Sequence, residues 1–368
     1  MGVFRILLAF CVVLSHGLNI AIPVATADVA VQTFYIVSGF YMGLILTEKY
    51  RDFSPYFTNR LLRLYPAYFV VLIVTLAHSI VRLLMGRSAA DPGLVAYVSD
   101  FAPLGLAART YLIGTNLVLW TQDLTMFLKL APAGQGLAWT TNFALSNPHV
   151  EKFLLVPQAW SLSIELSFYL LAPWLVARST ALLITIVAAT LVARLLLARI
   201  GLDFDPWTYR FFPIEVGSFV LGILSYRSMG ARSASAWQQR AALAGLLMAT
   251  LTYSAGPGGS LQRLAFYGYC VWALPLVFQL TRRNRVDRYL GELSYPIYLT
   301  HLLVISVALY SHLSGTALSV LIVALVVGAS VALQEVVQKP VERYRAWRVA
   351  PRADHPVAEG QVAASNGS

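Results

Sequence analysis

The sequence predicts an all-α protein: a polytopic transmembrane helical bundle of about ten spans with both termini cytoplasmic. Three observations carry that expectation. Hydrophobic residues make up 58% of the 368 residues and charged residues only 12%, whereas soluble domains carry about a quarter charged residues. Apolar runs recur from residue 3 to about residue 337, many near the roughly 20 residues that a bilayer core requires. Lys and Arg gather in alternate gaps between the runs, as cytoplasmic loops do.

The expected spans are 3–24, 29–47, 64–85, 160–177, 181–199, 210–226, 240–256, 264–280, 293–313 and 316–337. The first run is long enough to cross, and no small-residue cleavage site follows a short apolar core, so it reads as a retained helix. Basic gaps contain Lys49, Arg51, Arg60 and Arg63; Arg227, Arg232 and Arg240; Arg282, Arg283, Arg285 and Arg288; and Lys339, Arg343, Arg345 and Arg348. Placing them inside leaves 18 of the 27 Lys and Arg on the cytoplasmic side and 9 outside, as the positive-inside rule favours.

Residues 95–120 are also apolar, but an eleventh crossing would invert the basic loops at one end of the chain. Pro103, Gly105 and Arg109 interrupt that run. It is expected to lie in the outer interface or to re-enter the membrane, within a long outer region of residues 86–159. The domain reading is a transmembrane unit over 1–349 and a disordered cytoplasmic tail over 350–368. The net charge of +10 belongs to the cytoplasmic loops and does not call for nucleic acid. Cys11 and Cys270 lie in apolar runs, so neither a disulfide nor a metal is implied, and an acyl-cysteine at Cys11 is a minor alternative.

Ionisable groups inside membrane spans are expensive and usually functional. Arg5 and His16, eleven residues apart, lie about 20° apart around a helix and about 16 Å apart along it. That puts Arg5 at the cytoplasmic mouth and His16 on the same face near mid-membrane. A neutral imidazole suits proton abstraction from a hydroxyl; the plainer reading is a packed histidine and a lipid-binding arginine. Ser38-Gly39-Phe40 follows Phe34-Tyr35 in the second span, where Gly39 permits close helix packing. Arg60 and Arg63 share a helix face and form a guanidinium pair suited to phosphates, or to anionic lipid.

Trp160-Ser161-Leu162-Ser163-Ile164-Glu165 opens the fourth span. Trp160 fits an interfacial anchor. Glu165 lies about one turn deeper and needs a partner: a sugar hydroxyl, a histidine or a neighbouring helix. Glu215 invites the same readings with less support. Ser294 and His301 share a face of the ninth span, with Tyr298 one turn before His301, a polar stripe best explained by a cavity. His78, His149 and His312 lack such context.

Taken together, these motifs resemble the acyltransferase-3 family of membrane O-acyltransferases over about residues 3–345. The matching pieces are Arg5 with His16, Phe34-Tyr35-Ile36-Val37-Ser38-Gly39-Phe40, Arg60-Leu61-Leu62-Arg63 before Tyr65-Pro66, the Trp160–Glu165 stretch with Phe168-Tyr169, and Ser294-Tyr295-Pro296-Ile297-Tyr298-Leu299-Thr300-His301. Lys339-Pro340-Val341-Glu342 closes the pattern. Tyr35 replaces a common second Phe, and Gln32 stands where an acidic or small residue is usual.

The resemblance implies transfer of an acyl group, expected to be acetyl, from cytoplasmic acyl-CoA to a hydroxyl of a surface or exopolysaccharide sugar or its lipid-linked precursor. It implies His16 as the catalytic histidine. Arg5 and Glu165 join it as catalytic candidates, and Arg5, Arg60, Arg63 and Ser38 are the donor-binding candidates. Glu165, Trp160, Tyr298 and His301 are the acceptor-binding candidates. Expected partners are acyl-CoA, the glycan acceptor and the lipid bilayer, with a multi-pass location in the inner cell membrane and no permanently bound cofactor. The rival reading is a transporter or exporter of a small molecule or lipid-linked sugar, disfavoured by the absence of an internal repeat.

Overall fold

In the computed structural model, residues 1–17, 22–50, 52–86, 92–131, 136–230 and 234–349 are described. The expected tail at 350–368, together with Arg51 and Arg232, lies outside the described residues. The elements are helices α1 (Gly2–Gly17), α2 (Ala27–Glu48), α3 (Phe53–Leu84), α4 (Pro92–Ser99), α5 (Leu106–Val118), α6 (Trp160–Val176) and α7 (Thr180–Arg199). They continue with α8 (Phe212–Arg227), α9 (Ala236–Leu251), α10 (Gly259–Thr281), α11 (Arg285–Ala308), α12 (Gly315–Leu333) and α13 (Lys339–Val349). One short antiparallel hairpin, β1 (Leu128–Leu130) and β2 (Leu137–Trp139), lies between α5 and α6.

The chain is thus an all-α polytopic protein, and each predicted span holds a helix. Seven of these helices are long and apolar enough to cross a membrane. Helices α1, α8 and α9 have 16 residues each, about 24 Å, somewhat less than a hydrocarbon core of about 30 Å. The outward faces are apolar where a soluble protein would be charged. Helix α7 buries only Leu183 and exposes Ile184, Val192, Leu195 and Leu196.

Several boundaries differ from the sequence expectation. Among the described residues the first helix covers Gly2–Gly17, and residues 22–26 are not helical, so it does not run to Val24. The backbone around Val24 is satisfied outside any helix: Ala25 N–H donates to Thr250 O at 2.8 Å, and Val24 O accepts from Ser254 Oγ at 2.6 Å. His16 consequently sits in the last turn of α1, not halfway along a continuous span. Helix α3 starts at Phe53, so Arg60 and Arg63 are helical and not in a loop, and Pro66 lies inside the helix, as membrane helices tolerate. After α12 the chain continues through a π turn into α13 and does not end its helix at 337.

Residues 95–120 divide into α4 and α5, of 8 and 13 residues, each too short to cross. The break falls at Pro103 and Gly105. With residues Val150–Phe153 these helices enclose a small core of their own, built on Leu112, Val150 and Phe153. Asn116 fixes that cap, donating to Leu112 O and Phe153 O at 2.9 Å and accepting from Leu155 N–H at 2.9 Å. Burial pushes the Asp123 carboxyl in the same region above the usual carboxylate range, against the lowering effect of its bond from Ser163.

Glycine contacts set the two closest helix pairs. A Cβ on Gly39 would lie 1.9 Å from Phe219 O, and one on Gly222 would lie 2.0 Å from Ile36 O. Helices α2 and α8 therefore meet backbone to backbone, which is the structural task of the glycine in Ser38-Gly39-Phe40. Likewise, a Cβ on Gly2 would collide with Asp287 O, and one on Gly291 would lie 3.0 Å from Gly2 Cα and 3.4 Å from Arg5 Nη1. That contact seats α1 on α11 and makes room for the Arg5 side chain. The Asp287 carboxylate caps α1 by accepting from Gly2 N–H at 2.8 Å and Val3 N–H at 3.0 Å, an anion at a helix N-terminus.

Candidate active site

Three cavities follow one another along α1. The first, with about 1360 Å³ of empty space, opens where the N-terminal ends of α1 and α3 meet α11 and α13. Its cationic lining is Arg5, Lys49, Arg60, Arg63, Arg282, Arg288 and Arg345, set against Asp287, Glu292 and Glu342. The second, of about 730 Å³, is mainly apolar and shares Arg5, Tyr41, Arg63 and Tyr295 with the first. The third, of about 720 Å³, holds His16 and shares Val31 and Tyr298 with the second. Arg5 thus stands between the first two cavities and His16 in the third, about 16 Å apart along one helix.

Arg5 lies 5.8 Å from the centre of the Tyr41 ring, and Arg60 lies at the same distance from that of Tyr169. Arg60 is only 5% exposed, and its Nε has no hydrogen-bond partner. Buried guanidinium groups retain such unpaired donors at a cost unless an anion meets them. Arg345 joins this cluster from α13, a helix whose role carries no signal in the span pattern.

In the second cavity, Glu165 Oε1 accepts from Ser38 Oγ at 2.8 Å and from Tyr169 O–H at 2.5 Å. The stretch from Trp160 to Glu165 ties three regions to α6. Ser161 Oγ and Tyr298 O–H lie 2.6 Å apart, Ser163 O–H donates to Asp123 Oδ1 at 2.6 Å, and Glu165 takes the bond from Ser38 on α2. Ser38, Glu165, Ser294 and Tyr298 all line the second cavity. Glu165 and His16 line different cavities.

The side chain that meets His16 is His301. Their ring centres lie 5.1 Å apart with a 58° tilt. His16 Nδ1 lies 2.8 Å from Val12 O. A carbonyl only accepts, so the proton of the neutral ring sits on Nδ1 and the lone pair on Nε2. The same logic applies to His301, whose Nδ1 lies 2.6 Å from Tyr298 O and whose buried Nε2 has no partner. His16 is exposed to its cavity, whereas His301 is fully buried behind it.

Trp160 is only 6% exposed, so it is not a lipid-facing anchor. Arg210 lies 4.3 Å from its ring centre and Tyr209 packs edge-on at 5.3 Å. Arg210, Tyr209, Glu151 and Gln158 complete the third cavity, and the sequence offered no motif for them. Glu215 belongs elsewhere: fully buried, it pairs with Arg194 at 2.5 Å and accepts from Gln32 at 2.8 Å and Ser218 at 3.1 Å. Gln32 accepts in turn from Tyr267 O–H at 2.6 Å. That closed network accounts structurally for both Glu215 and the unusual Gln32.

Among the described residues, no group of three His, Cys, Asp or Glu is arranged to hold a metal ion. Cys11 is fully buried and lines none of the three cavities. No curated protein and no solved structure matches this chain. The acyltransferase domain that defines the acyltransferase-3 family matches residues 1–335, a stretch that holds the first five motifs together with His16, His301, Arg5, Arg60, Arg63 and Glu165. The chain belongs to the acyltransferase-3 family and is a multi-pass membrane acyltransferase.

Proposed function

We propose that the protein is an O-acyltransferase of the inner cell membrane, moving an acetyl group from cytoplasmic acetyl-CoA to a hydroxyl of a surface or exopolysaccharide sugar or its lipid-linked precursor. The observation that carries this reading is the run of three cavities from a cluster of seven cations to the His16 lone pair. Arg5, Arg60 and Arg63 hold the phosphates of the donor. The apolar second cavity takes the pantetheine arm, with Ser38 beside it. An extended arm can bridge the interval of about 16 Å between Arg5 and His16.

The acceptor hydroxyl enters the third cavity and gives its proton to His16 Nε2 while its oxygen attacks the thioester carbonyl carbon. The tetrahedral intermediate collapses, the C–S bond breaks, and the leaving thiolate takes the proton back from the imidazolium. Arg5 holds the donor, and Glu165 keeps Ser38 and Tyr169 in place along the donor's path. Trp160 and Tyr298 shape the acceptor side. His301 is a positioning residue that supports the His16 ring from behind.

Mass analysis of surface glycans from cells with and without this gene tests the reading. Loss of one acetyl mass per repeat unit is expected. An unchanged glycan mass contradicts the sugar acceptor.

A further inference from the structure

The wall of the third cavity is rich in hydrogen-bond acceptors that the protein itself leaves unused. Glu151 lies in the turn Val150–Phe153; its Oε1 accepts from His149 at 2.8 Å, while its buried Oε2 has no partner. Gln158 is 94% buried, being 6% exposed. Its Nε2 donates to Leu299 O at 2.6 Å, and its Oε1 has no partner. His16 adds the lone pair of Nε2. Arg210, in contrast, is paired with Asp205 at 2.7 Å and donates further to Tyr209 at 2.6 Å and to Met126 Sδ at 3.4 Å.

Buried acceptors without partners are costly, and a ligand that brings hydroxyl donors relieves that cost. A neutral polyhydroxyl ring supplies several donors in neighbouring positions. A ring bearing a carboxylate would bring its charge to the Glu151 carboxylate, with the cavity's arginine, Arg210, already paired with Asp205. We propose that Glu151 and Gln158 form an acceptor subsite that binds neighbouring hydroxyls of a neutral sugar ring, presents a further hydroxyl to His16 Nε2, and rejects uronate rings. This assignment rests on the acyltransfer reading above, and it makes Glu151 the residue that sets acceptor charge preference.

The test uses the full chain in lipid nanodiscs with acetyl-CoA as donor. Acceptors are the methyl glycosides of glucose, galactose and mannose, each beside its uronate counterpart. At least one neutral glycoside should be acetylated at least tenfold more efficiently than its uronate. Glu151→Gln keeps an oxygen for His149 and removes the charge. It should raise KM for the neutral glycoside about tenfold, leave KM for acetyl-CoA within twofold, and narrow the preference over the uronate. Equal use of neutral and uronate rings by the unaltered protein, or unchanged acceptor kinetics in E151Q, overturns the subsite. His16-dependent turnover of acetyl-CoA that uses none of the neutral glycosides also overturns it while leaving acyl transfer standing. Failure to turn over acetyl-CoA with any acceptor overturns both.

Discussion

The imidazoles of His16 and His301, from the first and eleventh helices, pack with ring centres 5.1 Å apart and present no hydrogen bond to one another. Each ring is fixed instead through its own Nδ1 to a backbone carbonyl of its own helix. His301 therefore acts on His16 by holding the ring. His301→Ala should lower kcat for acyl transfer ten- to hundredfold, the scale of a misplaced reacting group, with KM for acyl-CoA little changed. His301→Phe should restore most of kcat, because it keeps the ring. Equal losses in both variants would show that the His301 nitrogen matters and not its packing.

Arg60 and Arg63, in the N-terminal half of α3, line the basic mouth. Replacing either with Ala should raise KM for acetyl-CoA about tenfold, the loss of one hydrogen-bonded charge pair. The same variants should handle acetyl-pantetheine, which lacks the nucleotide phosphates, much as the unaltered protein does. A parallel loss with both donors contradicts phosphate binding.

These two sites differ in how far the sequence revealed them. Helical arithmetic anticipated that Arg5 and His16 sit on one helix, α1, and the spacing of Arg60 and Arg63 anticipated that they share another, α3. The approach of His301 to His16 was not legible, because it depends on α1 seating against α11 through Gly2 and Gly291. Lipid-facing and protein-facing surfaces of a membrane helix are both apolar, so periodicity does not name the neighbour. Glu151 and Gln158 were missed for another reason: they lie in a connection without regular period, whose place is set by Asn116 and the cap core. The non-helical backbone at Val24 and Ala25 is likewise a tertiary effect, since Thr250 and Ser254 satisfy it.

Glu215 is a structural acid, paired with Arg194 at 2.5 Å and closed off by Gln32 and Ser218. Removing one partner of a buried pair costs about 3 kcal/mol. Glu215→Ala should therefore lower the thermal stability of the purified protein clearly, while the folded fraction keeps its KM for acyl-CoA. A stable variant without acyl transfer would move Glu215 into the chemistry.

Gly39 and Gly114 make a matched pair. A Cβ at Gly39 meets Phe219 O at 1.9 Å, whereas a Cβ at Gly114 meets nothing within 4 Å. Gly39→Ala should destabilise by about 1–3 kcal/mol or more through overpacking. Gly114→Ala, in the middle of α5, should be neutral or stabilise by about 0.5–1 kcal/mol. Thermal unfolding of both in one detergent measures the contrast; similar melting points contradict the α2–α8 contact.

In the proposed mechanism, His16 Nε2 takes the proton of the acceptor hydroxyl. His16→Ala, compared with the unaltered protein at equal abundance in the membrane, tests it most directly through acyl transfer from acetyl-CoA to the acceptor. Transfer should fall to background while acetyl-CoA binding at the arginine mouth is retained. Near-normal transfer by the alanine variant would contradict it.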